Sequence, residues 1–166
     1  MRKFRALSFL ILNIFITNSF AVELSAPKPP ILTLTTLNKD GTLDKSINFN
    51  LAKLESMPVH TLKTETTWGS GVQTFEGVLV KSLLESISLT ERKIIAYSLN
   101  DFQIEIPISD IQNYPIIIAY RQNGNYMPVR NKGPLRIIYP ETDFPELNRP
   151  TIKNRWIWQL REIIIK

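Results

Sequence analysis

Residues 130–140 read RNKGPLRIIYP and join a basic segment to an apolar one. The apolar part, Leu135 to Tyr139, is predicted to be a buried strand. In the basic part, Arg130 and Lys132 alternate onto one side if the chain is extended, and Gly133 allows the backbone to approach a ligand closely. The segment Arg130–Arg136, with Arg121 upstream, suits a loop that binds carboxylate, phosphate or sulfate, although a solvated basic turn has the same composition. The spacing is not that of a phosphate-binding P-loop.

Short segments that are β-branched or alternate in polarity extend over the rest of the chain. They predict strands at residues 31–36, 47–49, 59–68, 93–99, 102–107, 115–120, 126–129, 135–139 and 156–165. Turns at Asn38–Gly41, Asn100–Asp101 and Gln122–Asn125 would join several of them. So many short strands with few helices predict a sheet-rich mixed α+β fold.

Two helices are predicted among these strands. Asn50 is a suitable N-cap for a short helix from Leu51, which ends before Pro58. The apolar spacing over residues 78–87 predicts the best-defined helix of the chain. No repeat or linker divides the sequence, so residues 45–166 are predicted to form one domain, preceded by an extended lead-in and first strand over residues 22–44.

The composition excludes several kinds of chemistry. The 166 residues include no cysteine and one histidine. Thiol nucleophiles, disulfides, cysteine-ligated zinc and iron–sulfur clusters are therefore excluded, and so are sites with several histidines. His60 is either a general base or anion donor, or an ordinary hydrogen-bonded residue of a strand.

Residues 1–21 have the parts of a secretory signal peptide. Basic residues come first, residues 6–20 are mostly apolar, and Ser19-Phe20-Ala21 fits a cleavage site before Val22. The alternative is an uncleaved membrane anchor, but the apolar run is shorter than the roughly 20 residues that a span needs. We expect cleavage, no stable membrane span and a periplasmic or secreted location.

The signal peptide accounts for part of the basic charge. The whole chain has a net charge of +5, and removing the three basic residues of the signal leaves +2 on the mature chain. A nucleic-acid partner is therefore not expected. The signal has no twin-arginine pair, which indicates a general secretory route that threads the chain unfolded, without a bulky cofactor already inserted.

Three further groups of residues allow two interpretations each. Trp68 precedes Gly69–Gly71 and is either a ligand platform or a core tryptophan. Asn100–Asp101 and Asp110 could supply carboxylates for acid–base chemistry, or serve turns, with Asp110 helping to cap a short turn of helix. Trp156–Trp158 would place two indoles on one strand face, as core residues rather than as a stacking platform.

Six stretches in a fixed order carry a resemblance to a known family: Thr66–Trp68, Phe75–Leu84, Ser98–Phe102, Ile106–Pro107, Arg130–Pro140 and Trp156–Leu160. Together, over about residues 45–165, they resemble the oxidoreductase molybdopterin-binding domain, the catalytic-domain fold of the sulfite oxidase family. The resemblance implies a mixed, sheet-rich fold. In the enzymes of the family it also implies a pterin-bound molybdenum held by a cysteine thiolate.

The resemblance places that cysteine after the strand Val59–Lys63, at or next to Thr64. A threonine hydroxyl is a poor ligand for a metal that prefers sulfur, and no cysteine elsewhere can replace it. The metal anchor is therefore missing, and we expect no cofactor. A molybdopterin retained without thiolate ligation is the alternative.

The remaining pocket is predicted to be lined by Trp68, Asn100, Arg121, Arg130 and Lys132. The leading hypothesis is an exported, non-catalytic module that binds a small anion or passes a signal to a membrane-bound sensor or redox partner. The alternatives are a molybdopterin-dependent oxidoreductase and a structural subunit that docks on a membrane or redox partner.

Overall fold

The computed structural model describes residues 29–66, 69, 71–85 and 92–166. The strands are β1 (Leu32–Leu37), β2 (Leu43–Phe49), β3 (His60–Glu65), β4 (Val72–Leu79), β5 (Ile94–Ser98), β6 (Gln103–Ile106), β7 (Ile117–Gln122), β8 (Asn125–Tyr126), β9 (Arg136–Ile138) and β10 (Leu160–Ile165). The helices are α1 (Leu51–Glu55), α2 (Val80–Leu84), α3 (Ile108–Asn113) and α4 (Pro150–Lys153), with 3₁₀ turns at Val129–Asn131 and Pro145–Leu147. The expected sheet-rich α+β fold is confirmed.

The strands form two sheets. The first, sheet A, has the order β2-β1-β10-β5-β6, and its central pair, β1 and β10, runs parallel. The second, sheet B, has the order β3-β4-β7-β8, with β9 also paired to β7. Every other pair of neighbouring strands among the described residues is antiparallel. Buried aliphatic side chains of both sheets join in one hydrophobic core.

Several elements differ from the sequence prediction. The strand predicted over residues 126–129 ends at Tyr126, because Val129–Asn131 form a 3₁₀ turn. The helix predicted over residues 78–87 begins only at Val80, because Val78 and Leu79 continue β4 and pair with β7. The end of that prediction, Ile87, lies outside the described residues. The strand predicted from Trp156 begins at Leu160, so both tryptophans precede it.

The predicted N-cap is confirmed for one helix and wrong for another. The Asn50 side chain accepts a hydrogen bond from the Lys53 amide at 2.9 Å and caps α1, as expected. Helix α3 instead begins after Pro107, and Asp110 lies inside it with its side chain buried. Asp110 is therefore not a capping residue at this helix.

The described helices are all short, and none of them has the length and apolar character needed to cross a bilayer. The predicted signal peptide, residues 1–21, lies outside the described residues, as do residues 22–28 of the lead-in.

Candidate functional site

The inner face of sheet B carries several polar side chains around Phe75. The strand register pairs Thr64 with Gln73 and Phe75 with Gln122, and strand alternation places all four on one face. Arg136 of β9 joins them, since its guanidinium lies 5.3 Å from the centre of the Phe75 ring. A cation therefore lies on the buried side of this sheet.

Arg136 is only 2% exposed. Its Nη1 donates to Gln122 Oε1 at 3.3 Å, while its Nε and Nη2 are buried without a hydrogen-bond partner. Within the described part of the chain it forms no ion pair with a carboxylate. Burial lowers its pKa to about 10. A buried guanidinium in this state is costly, and an anion that accepts from its two orphaned donors would reduce that cost.

Lys132 is a second cation near Arg136. It ends the 3₁₀ turn in a left-handed conformation, and its Nζ lies 4.4 Å from the centre of the Trp158 ring. Burial, and after it the charge of Arg136, lower the pKa of Lys132. Because the two positive charges repel one another, an anion bound between them would be favoured.

An open cleft of about 240 Å³ lies beside Trp158. Its lining residues are Ser98, Asn100, Phe102, Lys153, Asn154, Trp156, Ile157, Trp158 and Gln159. Trp156 is 4% exposed, and its indole Nε1 has no hydrogen-bond partner. The cleft therefore offers aromatic side chains to a small ligand.

Two predicted site residues, Asn100 and Lys132, lie at or beside this cleft. Asn100 lines it, and its side chain also accepts hydrogen bonds from Ser98 Oγ and the Phe102 amide. Lys132 reaches the same region through its contact with Trp158. Arg130 is exposed on the neighbouring 3₁₀ turn, so it does not alternate with Lys132 along an extended chain as expected. Trp68 lies outside the described residues.

Arg121 lies elsewhere. Strand alternation places it on the opposite face of sheet B from Gln122. Its guanidinium is 3.1 Å from Glu55 and 3.7 Å from Glu76, and it donates to the Tyr126 hydroxyl at 2.6 Å. Its charge is therefore balanced locally, and the structure does not bring it to the cleft.

Thr64 is fully buried and hydrogen-bonded. Its Oγ1 donates to the Glu65 carbonyl at 3.3 Å and accepts from the Thr142 amide at 3.3 Å. The Thr142 hydroxyl, 3.4 Å away, also accepts from the Glu65 amide. The hydroxyl at this position thus ties the segment after β9 to the end of β3.

Gly133 has a different role from the one expected. A Cβ at this position would lie 1.9 Å from the Met127 carbonyl oxygen. Glycine is therefore required here for close approach to the protein's own backbone.

Two residues of the site are not predicted as ligand contacts from the sequence. Arg136 ends the segment suggested as an anion-binding loop, but it also falls within a strand predicted to be buried and is not among the predicted pocket residues. A charge inside such an apolar run is the signal that could have identified it. Trp158 is predicted to be a core residue, but it lines the cleft because it lies before β10 rather than within it.

Comparison with known proteins gives one family and one fold. Residues 28–144 match the family model described as the oxidoreductase molybdopterin binding domain. No curated protein matches significantly. The chain is similar in structure to the sulfane dehydrogenase SoxCD from Paracoccus pantotrophus, with 16% sequence identity and a TM-score of 0.57. That match covers 81% of this chain but only 38% of the SoxCD chain, and at this identity it establishes the fold alone.

Proposed function

This chain belongs to the oxidoreductase molybdopterin-binding domain family, and from that premise we propose that it is an exported, non-catalytic module that binds a small anion. In this proposal the module has a sensory or accessory role, and it reports the bound anion to a membrane-bound sensor or redox partner. Its signal-like first 21 residues support export.

The residues present do not fit the metal of the family. The resemblance places the cysteine of the family's enzymes at or next to Thr64, whose hydroxyl already bonds Glu65 and Thr142. The chain contains no cysteine, so methionine is the only residue type in it that carries sulfur. The described residues also contain no cluster of three or more His, Asp or Glu side chains able to hold a metal. These observations favour a non-catalytic role over the oxidoreductase alternative.

Arg136 is the observation that carries the proposal. Two orphaned donors on a buried guanidinium match two oxygens of a carboxylate, sulfate or phosphate. Lys132 adds a second positive charge nearby. The cleft at Trp158, which Arg136 does not line, has a volume of about 240 Å³, below the roughly 300–1,000 Å³ usual for drug-sized ligands, and therefore suits a small ligand.

Calorimetry with inorganic phosphate and with sulfate tests the proposal. The wild-type protein should bind at least one of them, and Arg136→Leu should weaken binding at least about 10-fold, because one charge-assisted hydrogen bond contributes about 1.5–3 kcal/mol. Lys45→Met, which removes an exposed cation from edge strand β2, is the matched control and should bind like the wild type. An affinity in Arg136→Leu equal to that of the wild type would contradict the proposed anion site.

Elemental analysis of protein purified from the compartment to which it is exported distinguishes the non-catalytic proposal from the molybdopterin-dependent oxidoreductase. We expect molybdenum well below one atom per chain. Close to one atom per chain would contradict the non-catalytic proposal. Recovery of the protein only from the cytoplasm, with residues 1–21 still attached, would contradict export.

A further inference from the structure

Gln159 connects three segments of the candidate site. Its backbone N–H donates to the Lys132 carbonyl at 2.9 Å, and its own carbonyl accepts from the Leu99 amide at 2.9 Å. Its side-chain Nε2 donates to the Val129 carbonyl at 2.8 Å. These bonds join the wall of the cleft to the basic 3₁₀ turn and to the turn that carries Asn100.

The backbone of Gln159 is unfavourable for a residue with a side chain. Its φ is +52°, in the left-handed region. Lys132 and Asp101, on two of the connected segments, also have positive φ, at +66° and +65°. Unfavourable backbone of this kind persists only where the surrounding structure holds it in place, and it often lies at binding sites.

We propose that Gln159 is a positioning residue, whose amide holds the Val129–Asn131 turn so that Lys132 remains over Trp158 at the cleft. This inference rests on the proposed anion-binding function. Gln159 acts through the turn, and no contact with the anion is assigned to it. The side-chain bond to Val129 is the part of this arrangement that can be removed without altering either backbone bond.

Gln159→Gly and Gln159→Glu test the inference in the mature protein, residues 22–166. Glycine tolerates the positive φ and keeps both backbone bonds, whereas glutamate keeps the size of the side chain but cannot donate to Val129 when it is ionised. Asp40→Gly is the control, because it removes a side-chain bond to the Thr42 amide in the turn between β1 and β2.

The first measurement is hydrogen exchange at Asn131 and Gly133, whose amides both donate to the Pro128 carbonyl. We expect exchange to be about 3- to 10-fold faster in both Gln159 variants, as the loss of one net hydrogen bond implies, and unchanged in Asp40→Gly. Unchanged exchange in Gln159→Gly would overturn the inference.

The second measurement is phosphate affinity, which we expect to fall about 3- to 10-fold in both Gln159 variants. Faster exchange with wild-type phosphate affinity would show that Gln159 is merely structural, and would overturn its role at the site. If the wild type binds neither phosphate nor sulfate, the proposed function itself fails. Exchange at Asn131 and Gly133 then still decides whether Gln159 holds the turn.

Discussion

At the scale of single residues, replacing Arg136 should affect anion binding and the free energy of unfolding differently. An unpaired charge in a protein interior is costly, and replacing buried ionic groups by apolar residues of similar size is often neutral or stabilising. We expect Arg136→Leu to leave the free energy of unfolding unchanged or to raise it by about 1–3 kcal/mol. Urea denaturation measures this change, and a loss of more than about 2 kcal/mol would mean that the guanidinium stabilises the empty protein.

Tyr139 makes the stability of the folded protein depend on pH in the alkaline range. Its hydroxyl donates to Asp110 Oδ2 at 3.0 Å, and burial, followed by the charge of Asp110, raises its pKa above the ordinary value of 10. The folded protein therefore keeps the phenol protonated where the unfolded chain loses its proton. The stabilising contribution is complete below about pH 10 and is lost as the pH rises above it.

Tyr139→Phe should remove this alkaline loss. At about pH 8 we expect the variant to be less stable by about 1 kcal/mol, because it lacks the hydrogen bond to Asp110. Between about pH 10 and pH 11 the wild type should lose about 1 kcal/mol relative to the variant. Denaturation of both proteins over this range measures the difference. A difference that stays constant would contradict the raised pKa.

Single residues also show how far sequence reasoning reaches a site. Asn100 and Lys132 can be identified because turn and loop composition is visible locally, and the structure brings both to the cleft region. Arg121 is predicted to line the pocket but does not line the cleft. Its partners Glu55 and Glu76 come from elements distant in sequence, so local patterns do not reveal them. Arg136 is missed as a contact, since only the fold reveals that its donors lack partners.

At the scale of elements, β4 and β7 approach each other closely at Gly77. A Cβ at Gly77 would lie 2.0 Å from the Ile118 carbonyl oxygen and 2.6 Å from the Ala119 Cα. Both contacts are with backbone, which cannot move aside as a flexible side chain can. Gly77 therefore allows the central strands of sheet B to pair where their register shifts.

Gly77→Ala should consequently be strongly destabilising, by about 3 kcal/mol or more, since overpacking alone costs about 1–3 kcal/mol and the strands must also separate. Gly41→Ala is a useful comparison, because Gly41 has a positive φ but no atom within 4 Å of the place that a Cβ would occupy. It should cost only about 1–2 kcal/mol. Thermal denaturation of both variants tests the order, and equal losses would contradict the close approach.

Strands are easier to predict here than helices, for a physical reason. The β-branched and apolar composition of β1 (LTLTTL) and β5 (IIAYS) appears directly in the sequence. The apolar residues at 78–87 also satisfy helical spacing, but Val78 and Leu79 gain ladder hydrogen bonds with β7 that no local pattern reveals. Tertiary pairing therefore overrides the local periodicity and leaves a helix of only five residues.

At the scale of the whole molecule, an ion pair joins parts distant in sequence. Arg155 Nη1 donates to Asp110 Oδ2 at 2.6 Å, and Asp110 also accepts from Tyr139. The side chains of Arg155 and Asp110 are only 22% and 11% exposed. The pair therefore fixes the segment before β10, which forms the wall of the cleft, to α3.

Arg155→Met should leave the Asp110 carboxylate buried without its cation, at a cost of about 3 kcal/mol. Arg161→Met breaks the Arg161–Asp101 pair, whose side chains are 40% and 80% exposed, and should cost less than about 1 kcal/mol. Chemical denaturation compares the two variants. Similar losses would show that burial does not distinguish these pairs.

The parallel pairing of β1 with β10 has a consequence for the order of events during biosynthesis. Thr33 lies beside Glu162, so the central strand of sheet A is supplied more than a hundred residues after its neighbour. Until residues 160–165 have left the ribosome, β1 and β5 have no strand between them, and sheet A cannot close. Contacts this far apart in sequence also slow folding. The nascent chain therefore remains incompletely folded through most of its synthesis, the state in which a holding chaperone can still engage it.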